Sequence, residues 1–423
     1  MNDSIVIIGA GHAAGELAVA LRQGKPGCRI TLIGEEVWLP YQRPPLSKTW
    51  LSQADAAEES LLLRPPATYA AADVRFLSST RAMAIDRVRR RIDLSSGETL
   101  HYDGLALATG ARVRRLVAPQ AEQAEGSGNF HYLRTIDDVK RLRPQFRAGA
   151  RIAIVGGGYV GLEVASAAIK HGLKVTVLEA HARVLARVTA PEVSAFYEDV
   201  HRAAGVDLRC NVALAGFDFA PGGDRVAAVR CRAHDGRDFA VEVDLVVVGI
   251  GVVPNTELAQ AAGLPIDNGI VVDEFARTAD SAIVAAGDCT SHPNPVADGL
   301  IRLESVPNAV EQARTAAATL CGQQRPHRAV PWFWSDQYDL KLQMVGLSRG
   351  YDRLVLRGSM AGRSFAAFYL KDGRVVAADM VNRPKDFMLA KRIVAGRMHA
   401  DESALADESF DLKSLAPAPA AQV

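Results

Sequence analysis

The chain has 423 residues, 49 lysines and arginines against 48 aspartates and glutamates, a formal net charge of +1 and 48% hydrophobic residues. That length supports two or three domains with cores of their own, and the balanced charge gives no reason to expect nucleic acid or a membrane surface as a partner. No apolar run reaches the roughly 18 residues of a membrane-crossing helix, and the first strand begins almost at Met1, with no stretch for a signal peptide. The five cysteines (Cys28, Cys210, Cys231, Cys289, Cys321) form neither a Cys-x-x-Cys pair nor a metal-ligand cluster. A cytoplasmic protein with reduced thiols and no bound metal is expected.

In chain order, Ile5 to Ile8 is a continuous apolar run, the mark of a strand buried on both faces of a parallel sheet. It ends in Gly9-Ala10-Gly11-His12-Ala13-Ala14. Gly9 permits a tight turn, Gly11 lets a pyrophosphate approach the backbone, and Ala14 fills the third, small position of the loop. Ala13 to Leu21 reads as a helix whose N-terminal amides and dipole favour phosphate. A second strand, Arg29 to Ile33, leads to Glu35, about 26 residues after Gly9. Glu35 is either the carboxylate that accepts ribose hydroxyl bonds or a solvated loop charge. The loop alone does not distinguish FAD from NAD.

A second strand–turn–helix pattern starts at Ile152. Gly156, Gly158 and Gly161 meet the strict Gly-x-Gly-x-x-Gly rule, and the strand Lys174 to Leu178 ends at Glu179, about 23 residues after Gly156. A carboxylate there suits the ribose hydroxyls of NADH and repels the extra phosphate of NADPH, although Arg183 and Arg187 lie nearby in sequence. Thr189-Ala190-Pro191-Glu192 reads as a helix start with Pro in the first turn, and Gly205 as its stop. Leu245 to Val248 is a strand leading into Gly249. Thr278 to Ala286 reads as an apolar strand ending in Gly287-Asp288. Beyond it, Leu342 to Leu347, Arg353 to Arg357 and Ser364 to Leu370 read as short strands, and Asp372-Gly373 as a hairpin turn into Val375 to Val381. Pro384 to Val394 reads as a closing helix, and the Ala/Pro tail from Leu415 as loose.

The Gly287-Asp288 strand end resembles the second FAD fingerprint of two-dinucleotide flavoproteins, in which the Asp bonds the ribityl chain. Ala108-Thr109-Gly110 resembles their exit from the FAD domain. The motif order then implies an α/β fold of two Rossmann-like, glutathione-reductase-like domains followed by a C-terminal α+β domain. A discontinuous FAD domain (1–110 and 250–328) would hold an inserted NAD domain (111–249), with 329–423 as the C-terminal interface domain.

Over nearly its full length the chain resembles the NADH-dependent ferredoxin reductases of bacterial oxygenase systems. The motifs that carry this are Pro44-Pro45-Leu46-Ser47-Lys48, Tyr132-Leu133-Arg134-Thr135, Glu304-Ser305-Val306-Pro307-Asn308-Ala309 and Pro331-Trp332-Phe333-Trp334-Ser335-Asp336-Gln337. Apoptosis-inducing factor shares the architecture but fewer of these matches. The resemblance implies non-covalent FAD with contacts from Ala13, Glu35, Lys48, Ala82, Arg134, Asp288 and Val306. It adds Gly9, Gly11, His12, Ala14, Arg43, Ala108, Thr109, Gly110, Gly287, Ser305 and Trp334 around the cofactors, and Gly156, Gly158, Tyr159, Val160, Gly161, Glu179 and Gly249 around NADH. Ala14 and Glu35 stand where the family has glycine and aspartate.

The implied activity is hydride transfer from NADH to FAD, then single-electron steps to a 2Fe–2S ferredoxin serving a haem-thiolate monooxygenase or related oxygenase. Lys48 would stabilise charge near flavin N5, or is an ordinary surface lysine. Glu163 would pair with Lys48, or is a favourable charge in the first turn of the NAD-site helix. Tyr159 would lie over the flavin until nicotinamide displaces it, or packs against the loop. Trp332 and Trp334 line an electron route or pack the C-terminal core. An acidic ferredoxin would meet a basic patch for which Arg64, Arg314, Lys341, Arg383 and Lys385 are candidates. The chain is expected to be a monomer or weak homodimer. A disulfide reductase lacks its cysteine pair here; an NADH oxidase that gives electrons directly to oxygen stays an alternative, although Cys28 lies away from the expected flavin position. An apoptosis-inducing-factor-like binding protein would need a strongly basic face or a targeting segment, and neither is evident.

Overall fold

The computed structural model describes residues 3–53 and 56–417. The tail expected to be loose lies, from residue 418 on, outside the described residues. The fold divides into two compact units. One comprises the described residues of Met1–Gln42, Ala57–Arg112 and Val253–Phe333; the other comprises those of Arg43–Ala56, Val113–Val252 and Trp334–Val423.

The first unit is built on five parallel strands in the order Ile283–Ala285, Gly104–Leu107, Ser4–Ile8, Arg29–Ile33 and Val74–Leu77. Side chains alternate across a strand, so Ile5 and Ile7 face a cluster with Leu17, Leu21, Ala309, Ala313 and Ala316 from helices His12–Gly24 and Val306–Leu320. Val6 and Ile8 face the opposite cluster with Ile85 and Ile92 from the antiparallel sheet Ala82–Asp86, Arg91–Leu94, Thr99–His101. Burial on both faces is why Ile5 to Ile8 is apolar without interruption. The strand expected over Thr278 to Ala286 is shorter, Ile283–Ala285. The residues before it form a turn in which Thr278 Oγ1 donates to Ile283 O (2.9 Å) and Asp280 Oδ1 accepts from Ala282 N (3.0 Å).

The second unit repeats the plan with a parallel sheet ordered Asp207–Arg209, Lys174–Leu178, Arg151–Val155, Leu245–Val248 and Phe130–Tyr132. Helix Pro191–Ala203 starts with its proline in the first turn and is followed by Gly205 at φ +96°. The antiparallel sheet Val212–Phe219, Val226–Ala233, Asp238–Glu242 packs Phe217 and Val229 against Val246 and Val248. A second, five-stranded antiparallel sheet runs in the order Trp332–Gln337, Leu340–Gly346, Arg374–Val381, Ser364–Lys371 and Arg353–Ser359. Its hairpin turns on Asp372 (φ +50°) and Gly373 (φ +71°), the two left-handed residues that a two-residue hairpin loop demands. Helix Pro384–Ala395 closes this sheet with Phe387, Ala390, Ile393 and Val394.

Candidate active site

In the first unit, Gly9 turns at φ +114°, and a Cβ there would fall 2.1 Å from Ala108 O, so only glycine fits. Gly11 caps helix His12–Gly24 without any side-chain hydrogen bond, and a Cβ on it would meet nothing within 4 Å. The helix has no acidic residue in its first turn. An open glycine before an uncapped helix start is the donor set a pyrophosphate needs.

Around this loop, Ala14 is fully buried and a Cβ on Gly287 would lie 3.3 Å from Ala13. Gly287 N donates to Gln312 Oε1 (2.8 Å), and Asp288 is half-buried beside it. Thr109 Oγ1 donates to Asn255 O (2.7 Å), Asn255 Nδ2 donates back to Thr109 O (2.8 Å), and Gly110 follows at φ +63°. Ser305 caps helix Val306–Leu320 by accepting from Asn308 N. Ala82 is buried at the start of its strand. Glu35 is 68% exposed and lies 3.2 Å from Arg81, so a ribose would compete with that arginine for the carboxylate.

In the second unit, Gly156 turns at φ +109° with its missing Cβ 2.5 Å from Gly249 O, and a Cβ on Gly161 would strike Gly156 O at 2.0 Å. Gly158 caps helix Tyr159–Lys170 without a side-chain bond and faces open space, with Val160 partly exposed beside it. Glu179 is buried against the loop. Its Oε2 accepts from Gly157 N (2.6 Å), and its Oε1 accepts from His181 N (2.7 Å) and lies 2.6 Å from His181 Nδ1. Arg183 is turned inward onto Thr189 O (2.9 Å), Ala186 O (3.0 Å) and Ser194 Oγ.

The segment Arg43–Ala56 belongs with this second unit. The two prolines open the 3-10 turn Pro44–Ser47, which fixes the backbone leading to Lys48. Lys48 Nζ lies 2.9 Å from Glu163 Oε1, with side chains 13% and 3% exposed. Glu163 Oε2 accepts from Ser47 Oγ, and Oε1 accepts from Ser335 Oγ (2.7 Å). Glu163 is the fifth residue of its helix rather than a first-turn residue, so a macrodipole contact does not account for its charge. Arg43 donates to Arg134 O (2.8 Å), and Thr135 and Asp138 form a capping box that starts helix Ile136–Leu142. The half-buried Tyr159 directs its hydroxyl to Met344 Sδ (2.7 Å). Trp332 and Trp334 are half-buried at the start of strand Trp332–Gln337.

All five cysteines are free. Burial pushes their thiols up, Cys231 to about 11 and Cys210 to about 12, which leaves no activated thiolate. Among the described residues no group of three or more His, Cys, Asp or Glu could hold a metal, and no helix is long and apolar enough to cross a membrane. Arg64 and Arg314 both pair with Glu16 at 2.8 Å, and Arg383 pairs with Asp386 (2.7 Å) and Glu408 (2.8 Å). Lys341 and Lys385 are exposed. Sequence reasoning missed Ser47 and Ser335 as partners of Glu163, and Gln312 as the acceptor for Gly287. Lone serines carry no pattern, and Ser335-Asp336-Gln337 is an unbroken polar run in which the sequence does not mark the inward residues.

Two uncapped glycine-loop helix starts, each followed by a strand with a glutamate one or two residues beyond its end, define an oxidoreductase that binds two dinucleotides. Residues 3–313 match the family described as pyridine nucleotide-disulphide oxidoreductase, and residues 332–416 match the reductase C-terminal family. Putidaredoxin reductase of Pseudomonas putida is 48% identical over 423 residues, covering 100% of this chain and 99% of that one. Rhodocoxin reductase of Rhodococcus erythropolis is 44% identical over 410 residues, covering 97% and 93%. Among solved structures, the covalent putidaredoxin reductase–putidaredoxin complex matches with TM-score 0.93 and 48% identity over 98% of each chain. The ferredoxin reductase for the CYP199A2 system from Rhodopseudomonas palustris matches with TM-score 0.92 and 42% identity, over 98% of this chain and 100% of that one. The chain belongs to the pyridine nucleotide-disulphide oxidoreductase family, among the ferredoxin reductases of oxygenase systems. Membership implies binding of FAD and a nicotinamide dinucleotide.

Proposed function

We propose that this chain is an NADH-dependent ferredoxin reductase that passes single electrons to a 2Fe–2S ferredoxin of an oxygenase system. The observation that carries the reading is a pair of complete dinucleotide cradles on a chain that aligns end to end with putidaredoxin reductase. Bound FAD supplies the conversion of a two-electron donor into one-electron steps. Helix His12–Gly24 binds the FAD pyrophosphate through the open Gly11, and Glu35 and Asp288 accept from its hydroxyls. The NADH pyrophosphate takes the equivalent position at Gly158. Glu179 accepts from the adenosine ribose and disfavours a 2′-phosphate, while Arg183 is engaged on the carbonyls of Thr189 and Ala186.

Lys48, held by Glu163, would supply an ammonium to stabilise the negative charge that bound FAD takes on when reduced. Tyr159 would cover the flavin in the absence of nicotinamide. The functional division we propose is 1–110 with 250–328 for FAD, 111–249 for NADH and 329–423 for partner contact. Stopped-flow mixing with NADH and NADPH, followed by acidic 2Fe–2S proteins and by oxygen, tests the reading. Fast reduction by NADH with fast transfer to an iron–sulfur protein and slow transfer to oxygen is expected. Fast oxygen turnover with no transfer to any iron–sulfur protein makes the chain an oxidase instead.

A further inference from the structure

The Ser335-Asp336-Gln337 stretch has no part in the scheme above, yet the fold treats it with care. It ends strand Trp332–Gln337, where alternate residues share a face. Ser335 and Gln337 are turned inward at 0% and 1% exposure, while Asp336 between them is exposed. Two polar side chains have thus been placed where apolar ones would fill the same space without demanding partners. Their partners are specific. Ser335 Oγ is 2.7 Å from Glu163 Oε1, and Gln337 Nε2 is 3.2 Å from Ser335 Oγ. Gln337 Oε1 is 2.9 Å from Nε2 of His201, which is fully buried on helix Pro191–Ala203, and His201 Nδ1 is 3.0 Å from Tyr338 Oη.

One end of this chain fixes the direction of every link. A carboxylate paired with an ammonium can only accept, so Ser335 must spend its single O–H on Glu163. Ser335 Oγ then accepts from Gln337 Nε2, which leaves the Gln337 carbonyl facing His201. The His201 ring must therefore carry its proton on Nε2, and its bare Nδ1 accepts from Tyr338. Burial holds the His201 imidazole neutral, its pKa lowered to about 4 although Gln337 opposes the shift, so a single tautomer serves across the physiological range. Four donors in series all point at Glu163, an arrangement in which each bond polarises the next.

We propose that Ser335, Gln337, His201 and Tyr338 are positioning residues that lock the Glu163 carboxylate, and through it the Lys48 ammonium, for flavin reduction. The proposal deepens the assignment of Lys48 to the flavin and rests on it. Lysine is a point charge on a flexible stem with several rotamers, and it holds one place only if its acceptor does. Ser47 grips one oxygen of Glu163; Ser335 grips the oxygen that Lys48 itself uses. Loosening Ser335 therefore frees the lysine where its charge is needed, without touching the dinucleotide cradles.

The test has two parts. In holoenzyme with 15N-labelled histidine rings, the His201 signals should show an Nε2–H tautomer, uncharged from about pH 5 to pH 8. A proton on Nδ1 reverses the chain and overturns the proposal, and this readout needs no variant. Ser335→Ala should slow the limiting rate of flavin reduction by NADH about tenfold and make the flavin midpoint potential more negative, with the NADH Kd within about twofold. Ser335→Thr, which keeps the hydroxyl, should restore both. An unchanged rate and potential in Ser335→Ala, or failure of Ser335→Thr to rescue them, also overturns it. Lys48→Met separates the two levels. If Lys48→Met also leaves reduction untouched, the assignment of Lys48 fails. If Lys48→Met slows reduction and Ser335→Ala does not, only the positioning chain fails.

Discussion

Replacing Lys48 by Met keeps the length of the stem and removes the charge, leaving Glu163 as an ion whose side chain is 3% exposed. Removing one partner of a buried ion pair costs about 3–5 kcal/mol because the other charge stays desolvated. Two features reduce that here. Ser47 and Ser335 still donate to the Glu163 oxygens, and Lys48 is 13% exposed, so water can reach the vacated place. We therefore expect Lys48→Met to lose about 2–3 kcal/mol in urea unfolding. Glu163→Gln in the Lys48→Met background should recover about 1–2 kcal/mol by discharging the stranded carboxylate, a coupling that a double-mutant cycle reads directly. If the ammonium also stabilises reduced flavin, the limiting reduction rate in Lys48→Met falls about a hundredfold, worth about 2.7 kcal/mol of barrier. A stability loss under about 0.5 kcal/mol with no coupling would mean that the pair is solvated and contributes nothing, and the reasoning from burial would be refuted.

Four further outcomes follow from the geometry. Glu179→Ala should narrow the preference for NADH over NADPH by about tenfold in kcat/KM; unchanged discrimination removes Glu179 from coenzyme selection. Gly11→Ala places a methyl in open space and Gly9→Ala drives one into Ala108 O, so the first should purify folded but poor in FAD and the second should fail to fold stably, as flavin absorbance and thermal melts will report. Asp379 is buried, which pushes its carboxyl up to about 7 although a hydrogen bond from Tyr369 opposes the shift. Between about pH 4 and pH 7 the unfolded chain has released a proton that the folded chain keeps, so this group's contribution falls as pH rises and then levels off. Asp379→Asn should flatten that slope and gain roughly 3–4 kcal/mol at pH 8; a variant no more stable than the parent at pH 8 sinks the argument. Arg357 is buried with its guanidinium on the carbonyls of Leu405, Asp407, Glu408 and Phe410, so Arg357→Met should release that segment to limited proteolysis while the NADH site keeps its affinity.

What the sequence disclosed and what it withheld divide along a physical line. Both glycine loops were legible because each glycine answers a local demand: a Cβ on Gly9 or Gly156 would overlap a carbonyl oxygen, and Gly11 and Gly158 leave room for a ligand. The strands before them were legible because burial on both faces makes Ile5 to Ile8 and Ile152 to Val155 apolar throughout. Motifs recognised by resemblance proved to be partly plain helix chemistry, since Thr135 and Ser305 cap the helices they precede. The fate of Lys48 was not legible, because a lysine after two prolines looks the same whether its partner is water or a carboxylate. That partner, Glu163, lies 115 positions on, in another dinucleotide motif, and its other donors are single serines. The strand Trp332–Gln337 escaped notice for a related reason. Its inward face changes from Phe333 to serine and glutamine, and an alternation test counts the latter as outward. A strand that turns polar residues inward breaks the hydrophobic pattern where it supports another group's charge. Such breaks in an otherwise regular chain are where a site is most profitably sought.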